Sequence, residues 1–156
     1  MVYVFDSCCF IDLFTHYYPS RFHTLWESFY QLVQDEKLVS VREARRELID
    51  YGNSLSDWAK ANSNVFHTPT ADELVCVREI FEIKHFQAMI QMRRRLLGKP
   101  IADPFLIAKA CNTKNGCVVT REKYKPNAAK IPNVCQHFDV PCYDLEEFME
   151  LEEWSF

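Results

Sequence analysis

The sequence predicts an α/β fold built around a buried parallel sheet. Residues Val2–Phe5 form an unbroken run of high β-propensity that leads directly into Asp6, which is typical of a strand buried on both faces. Segments with helical spacing then alternate with further short apolar runs, and this alternation favours parallel strands joined by right-handed crossovers. With 156 residues and no recognisable repeat or linker, one domain spanning 1–156 is expected.

The first half of the chain alternates strand and helix patterns. A helix follows the first strand, and residues 21–35 then place apolar side chains three and four positions apart, as an amphipathic helix does. Residues 37–41 are a short second strand. Ser40 with Glu43 fits a capping box, so a helix is expected to begin near Val41.

The second half continues the alternation. Thr70 with Glu73 fits another capping box before a helix. Asp103 followed by Pro104 predicts a helix that has Asp103 as its N-cap, and nearly every residue of that helix is apolar. The remaining predicted elements are a helix at about 86–97, strands at 116–120 and 140–143, and an acidic terminal helix from about 145 to 153.

The composition bears on compartment and partners. The seven cysteines are an odd number without C-x-x-C spacing, so they are expected to be small buried residues in a reducing compartment rather than zinc ligands. No basic segment precedes the first apolar run, and no stretch approaches the roughly 18 apolar residues of a membrane span. A cytoplasmic protein with no membrane partner is therefore expected. The formal net charge of −4 gives no general attraction to nucleic acid.

Four carboxylates follow strand ends or lie on helices next to them. Asp6 follows the first strand, and Glu122 comes two residues after Thr120, where a later strand ends. Asp103 opens the most apolar helix, and Glu47 borders the apolar face of the helix after the second strand. Because parallel strands end at one edge of a sheet, where α/β folds bind ligands, these acids can converge there.

Such a group of carboxylates suits a hard cation. Clustered carboxylates repel one another unless a cation compensates their charge. Oxygen ligands favour Mg²⁺ or Mn²⁺ over zinc, and these ions support the attack of water on a phosphodiester. Each acid has a plain alternative: Asp6 and Asp103 could only cap helices, Glu47 could be a solvated residue, and Glu122 lies in a charged turn.

In order and residue type, these motifs resemble the PIN-domain family of ribonucleases. The matching segments are the strand with Asp6-Ser7 and 10–13, then 41–48, 102–108 and 118–122. The resemblance implies a three-layer α/β/α fold with a five-stranded parallel sheet in the order 3-2-1-4-5. The helical insertion at about 54–97 is longer than expected of the smallest members. It also implies Mg²⁺- or Mn²⁺-dependent endonucleolytic cleavage of RNA.

The resemblance further assigns residues and partners. The catalytic and metal-binding residues it implies are Asp6, Glu47, Asp103 and Glu122. Two positions depart from the family, since residue 8 is Cys where many members have Asn, and Glu122 stands where Asp is usual. A stand-alone domain of this size resembles the VapC-like toxins of toxin–antitoxin pairs, which implies an antitoxin partner, and such toxins often form homodimers.

Hydroxyls and basic residues complete the predicted site. Ser7 and Thr120 could hold water or a phosphate at the sheet edge, or could bond only to local backbone. The basic candidates for RNA contact are Arg121, Lys123, Arg93, Arg94 and Arg95. A solvated charged surface is their plain alternative.

These residues raise three hypotheses for the function. The leading hypothesis is a metal-dependent endoribonuclease, and the second is a PIN-like module that binds a partner and cleaves nothing. The third is a phosphotransfer domain of the receiver or haloacid-hydrolase kind. That class needs a second Asp at a short fixed spacing, which 6–9 does not provide.

Overall fold

The computed structural model of the protein describes residues 1–88 and 102–156. Its centre is a five-stranded all-parallel sheet in the order β3-β2-β1-β4-β5, which confirms the predicted order. The strands are β1 (Val2–Phe5), β2 (Leu38–Val41), β3 (Phe66–His67), β4 (Gly116–Val119) and β5 (Cys142–Tyr143).

Helices cover both faces of the sheet and give the predicted three-layer α/β fold. In the described ranges they are α1 (Ser7–His16), α2 (His23–Gln34), α3 (Arg42–Ile49), α4 (Ser54–Ala61), α5 (Ala71–Glu82), α6 (Asp103–Cys111), α7 (Ile131–His137) and α8 (Leu145–Leu151). Short 3₁₀ helices occupy Ser63–Val65 and Lys84–Phe86. Among these helices, none has the length and apolar character needed to cross a membrane.

The central strand β1 explains the apolar start of the sequence. It pairs with β2 on one side and with β4 on the other. Because successive side chains point to opposite faces, Val4 packs into one core while Tyr3 and Phe5 pack into the other. Every one of these three side chains is buried, so β1 needs apolar residues at consecutive positions rather than at alternate ones.

The two cores differ in chemistry. The core beneath α5, α6 and α7 is mainly aliphatic, whereas the core beneath α1, α2, α4 and α8 is rich in aromatic side chains. In the aromatic core, Phe10 lies within 6.5 Å of Phe5, Phe29, Trp58 and Phe66, measured between ring centroids. Both cores hold the helix termini and strand ends that form the carboxyl edge of the sheet.

One of the two predicted capping boxes is wrong. The Thr70 hydroxyl and the Glu73 carboxylate do form the box that begins α5. Ser40 forms none, because its hydroxyl donates instead to the Phe5 carbonyl oxygen at 2.6 Å and so joins β2 to β1. The N-cap of α3 is Val41. The helix therefore begins where it was predicted to begin, but for a different reason.

Some element boundaries also differ from the prediction. The edge strand β3 has only two residues and is too short for a period-2 pattern. It lies in the interval 54–97, so this predicted helical insertion also carries a strand of the sheet. The strand β5 is shorter than the predicted 140–143. Residues 89–97 of the predicted helix at 86–97 lie outside the described residues.

The C-terminal helix α8 is joined to β1 through Tyr3. The Tyr3 hydroxyl donates to Glu152 Oε1 at 2.6 Å, and its ring packs edge-to-face on Phe148. Burial and then the Glu152 carboxylate raise the pKa of Tyr3, so the phenol remains a donor at ordinary pH. This contact connects residues 149 positions apart in sequence.

We expect Tyr3→Phe to lower the free energy of unfolding by about 1–2 kcal/mol, because the ring stays packed while one hydrogen bond to a carboxylate is lost. Urea denaturation of the wild type and the variant measures this difference. Tyr124→Phe is the matched control, since Tyr124 is exposed. Equal stability losses in the two variants would show that the Tyr3 hydroxyl contributes nothing.

Candidate functional site

Asp6 lies between β1 and α1 with its carboxylate turned across the sheet edge. It occupies the N-cap position in an extended conformation, but its side chain makes no capping hydrogen bond. Its Oδ2 atom accepts instead from Thr120 Oγ1 at 2.8 Å and from Cys8 Sγ at 3.2 Å. The side chain is 3% exposed. A role for Asp6 only as a helix cap is therefore wrong.

Ser7 links Asp6 to Glu47. Its Oγ atom lies 2.6 Å from Glu47 Oε2 and 3.3 Å from Asp6 Oδ1. A serine hydroxyl carries one proton, and the shorter contact takes it, so Ser7 donates to Glu47. This bond draws α3 to the first turn of α1 and brings two of the four predicted acids together.

Thr120 and Glu122 form a turn that supports Asp6. The buried Thr120 hydroxyl accepts from the Glu122 backbone N–H at 3.2 Å while it donates to Asp6. The Glu122 carboxylate has another contact, because its Oε2 atom accepts from the backbone N–H of Ile131 at 2.9 Å. Ile131 is the first residue of α7. Glu122 thus joins the site through its backbone, and one of its carboxylate oxygens caps a helix.

Asp103 is buried at the same edge of the sheet. It is the first residue of α6, with Ala102 at the N-cap, so the predicted N-cap assignment of Asp103 is wrong by one position. The helix α6 packs against β1, β2 and β4 and leads into β4, which places its N-terminus at the carboxyl edge. Asp103 is 2% exposed. None of the hydrogen bonds between described residues joins Asp103 directly to Asp6 or Glu47.

Two of the predicted RNA-contact residues form ion pairs. Arg121 Nη1 lies 3.0 Å from Asp12 Oδ1, and the Lys123 ammonium pairs with the Asp144 carboxylate. This pairing raises the pKa of Lys123, whereas the pKa of Asp144 is lowered first by the backbone N–H of Glu147 and then by Lys123. Both basic side chains remain largely exposed, at 66% and 73%.

The other three basic candidates, Arg93, Arg94 and Arg95, lie outside the described residues. A role for any of the five basic residues in binding RNA stays a prediction.

Two further residues of this edge were not predicted from the sequence. Cys8, on the first turn of α1, contacts both Asp6 and the 120–122 turn. Glu43 is buried one helical turn before Glu47, with Oε1 paired to Arg42 and no hydrogen bond to Oε2 from the described residues. Spacing was the sequence signal available for both residues. Cys8 comes two residues after Asp6, and Glu43 comes four residues before Glu47 on a helix.

The ligand chemistry of this edge suits a hard cation held by few protein ligands. Within 1–88 and 102–156, no group of three or more His, Cys, Asp or Glu side chains is arranged so that it could hold a metal ion. Mg²⁺ in proteins is commonly bound by one or two carboxylates, with water and substrate phosphates as its other ligands. The Ser7-linked pair of Asp6 and Glu47 fits that mode of binding.

The comparisons with known proteins give a family but no activity. The sequence model of a domain of unknown function, DUF4411, matches residues 3–156, which include every residue described at this edge. The comparison with curated proteins and the comparison with solved structures found no match. Because the match covers nearly the whole chain, this protein belongs to the DUF4411 family, a domain of unknown function.

Proposed function

We propose that this protein is an Mg²⁺- or Mn²⁺-dependent endoribonuclease of the PIN-domain kind, with its reacting centre around Asp6. The observation that carries the proposal is the Ser7 hydroxyl, which lies between the carboxylates of Asp6 and Glu47. This hydroxyl brings the two carboxylates together at the sheet edge where α/β folds bind ligands. Carboxylates that lie close together and away from water favour the binding of a cation.

The residues that would hold the cation directly are Asp6 and Glu47, and Asp103 would add its negative charge at the same edge. Their oxygen atoms favour Mg²⁺ or Mn²⁺ over softer ions. When bound, an ion of this kind activates water for attack on a phosphodiester and stabilises the oxygen that leaves. The near-complete burial of Asp6 and Asp103 strengthens their electrostatic interaction with a cation relative to an exposed site.

The neighbouring residues would keep these acids in place. Thr120 and Cys8 donate to Oδ2 of Asp6, and Ser7 donates to Glu47. Glu122 holds the turn at 120–122 against α7, through the hydrogen bond from Ile131. We therefore assign Glu122 a supporting role rather than a direct contact with the cation.

The net charge of −4 does not favour the binding of RNA to the protein as a whole. A local basic patch would therefore bind the RNA backbone. Arg121 and Lys123 lie within three residues after Thr120 and keep exposed side chains. Their partners, Asp12 and Asp144, form surface ion pairs, which contribute only about 0–1 kcal/mol. Phosphates of RNA can thus replace these carboxylates at little cost.

A non-catalytic binding module is the second candidate. It is favoured by the finding that no group of three metal-ligating side chains is assembled within the described ranges. The two candidates differ in whether the acids are needed for cleavage of RNA.

The proposed biological role is that of a toxin neutralised by a cognate antitoxin protein, with a homodimer as a further assembly. The support for this role is the resemblance of the four acidic motifs to the PIN-domain family, to which VapC-like toxins belong. The cytoplasm is the proposed compartment, since all seven cysteines are free thiols and free thiols suit reducing conditions.

We expect Asp6→Asn and Asp103→Asn each to reduce RNA cleavage in Mg²⁺ about a thousandfold, the equivalent of roughly 4 kcal/mol of transition-state stabilisation. Asn preserves the size of the side chain but removes the charge that attracts the cation. The measurement is the rate of cleavage of a labelled RNA by purified protein. Glu122→Gln is the matched control at the same edge, and we expect it to keep most of the activity because Gln can still accept from Ile131.

The result that would support the binding-module candidate is clear. Equal, metal-independent cleavage rates for the wild type, Asp6→Asn and Asp103→Asn would mean that these acids take no part in catalysis, and the residual cleavage would be attributed to contamination.

We also expect production of the wild-type protein without a partner to slow bacterial growth, because cleavage of cellular RNA limits translation. An Asp6→Asn copy at the same soluble level should not slow growth. Growth curves with matched expression, checked by immunoblotting, measure the difference. Identical growth of the two cultures would contradict the proposed toxin role.

A further inference from the structure

We propose that Cys8 is a positioning residue of this site: its thiol helps to hold Oδ2 of Asp6 so that Oδ1 is presented to Glu47 and the cation. This inference rests on the proposed function and adds to it a residue to which the sequence assigned no role in the site. Cys8 stands on the first turn of α1, two residues after Asp6, and is half-buried.

The two carboxylate oxygens of Asp6 have different donors. Oδ2 receives two of them, the Thr120 hydroxyl at 2.8 Å and the Cys8 thiol at 3.2 Å. From the described residues, Oδ1 has the 3.3 Å contact with Ser7, whose proton is committed to Glu47 at 2.6 Å. The two oxygens of one carboxylate are therefore unequal. Oδ2 accepts from two protein donors, whereas Oδ1 lies next to the Ser7 hydroxyl that binds Glu47.

Both donors are themselves oriented by backbone N–H groups. The Arg121 N–H donates to Cys8 Sγ at 3.4 Å, and the Glu122 N–H donates to Thr120 Oγ1 at 3.2 Å. Because Cys8 Sγ and Thr120 Oγ1 each accept a hydrogen bond from the backbone of the turn, each directs its own proton toward Asp6. Partners of this second layer commonly fix the orientation of a carboxylate that binds metal.

The neighbouring thiol cannot substitute for Cys8. Cys9 is fully buried, and its Sγ atom lies 3.5 Å from the Val119 carbonyl oxygen, on the core side of α1. The thiols of Cys8 and Cys9 thus point in different directions, and of the two the Cys8 thiol contacts the carboxylate of Asp6. A change at residue 8 should affect the site without being compensated by residue 9.

The experiment measures Mn²⁺ binding by the electron paramagnetic resonance signal of free Mn²⁺, together with thermal unfolding. The proteins are the full chain as wild type, Cys8→Ala, Cys8→Ser and Cys111→Ala. We expect Cys8→Ala to weaken Mn²⁺ binding about tenfold. This loss of affinity is small for a residue that orients a metal ligand, because a thiol is a weak hydrogen-bond donor. Cys8→Ser retains a donor and should bind close to the wild type. Cys111→Ala removes an exposed thiol from the far end of α6 and should change nothing.

A second readout separates positioning from a general structural effect. The Mn²⁺ concentration that gives half-maximal RNA cleavage should rise in Cys8→Ala, while the rate at saturating Mn²⁺ should return toward the wild-type rate. If Cys8→Ala folds poorly, Cys8→Val restores side-chain volume without a donor and should show the same weakened binding.

Different results would overturn different claims. Mn²⁺ binding by Cys8→Ala equal to that of the wild type would overturn the role of Cys8 and leave the proposed function intact. Equal weakening in Cys8→Ala and Cys8→Ser, with unchanged thermal stability, would overturn the hydrogen-bond explanation. Absence of Mn²⁺ binding by the wild type would overturn the proposed function, and the role of Cys8 with it.

Discussion

The buried hydrogen bond from Thr120 to Asp6 is the interaction on which this edge of the sheet depends. It joins the carboxyl ends of β1 and β4, where Phe5 already pairs with Val119 in register. On the other side of β1, the buried Ser40 hydroxyl donates to the Phe5 carbonyl oxygen. Hydroxyls thus fix the end of the central strand from both neighbours. This arrangement explains why the Asp6 carboxylate turns across the edge instead of capping α1.

Several acidic side chains are buried at the same edge of the sheet. Asp6, Glu43 and Asp103 are almost completely buried, and Glu47 is half-buried nearby. Burial of a carboxylate costs free energy unless donors or a cation compensate it. Between described residues, Ser7 donates to Glu47, Thr120 and Cys8 donate to Asp6, and Arg42 pairs with Glu43. The proposed cation would add to this compensation at Asp6 and Glu47.

Much of this arrangement could be predicted from the sequence, for physical reasons. A strand buried on both faces has a distinctive composition, so β1 and the place of Asp6 could be recognised before the fold was known. The strand β3 could not, because two residues show no periodicity. Ser40 was assigned to a capping box because local spacing cannot reveal a competing acceptor on another strand. For the same reason, the contacts of Cys8 with Thr120 and Arg121, over 110 residues away, were invisible in the sequence.

The central claim is that the carboxylates of Asp6 and Glu47 hold a divalent cation. Crystals of the protein soaked in Mn²⁺ test it most directly, through anomalous difference density measured near the manganese absorption edge. We expect a peak within coordinating distance of Asp6 Oδ1 and Glu47, on the side of Asp103. This peak should be absent from Asp6→Asn crystals. A map from saturating Mn²⁺ with no peak at this edge, or with a peak that persists in Asp6→Asn, would contradict it.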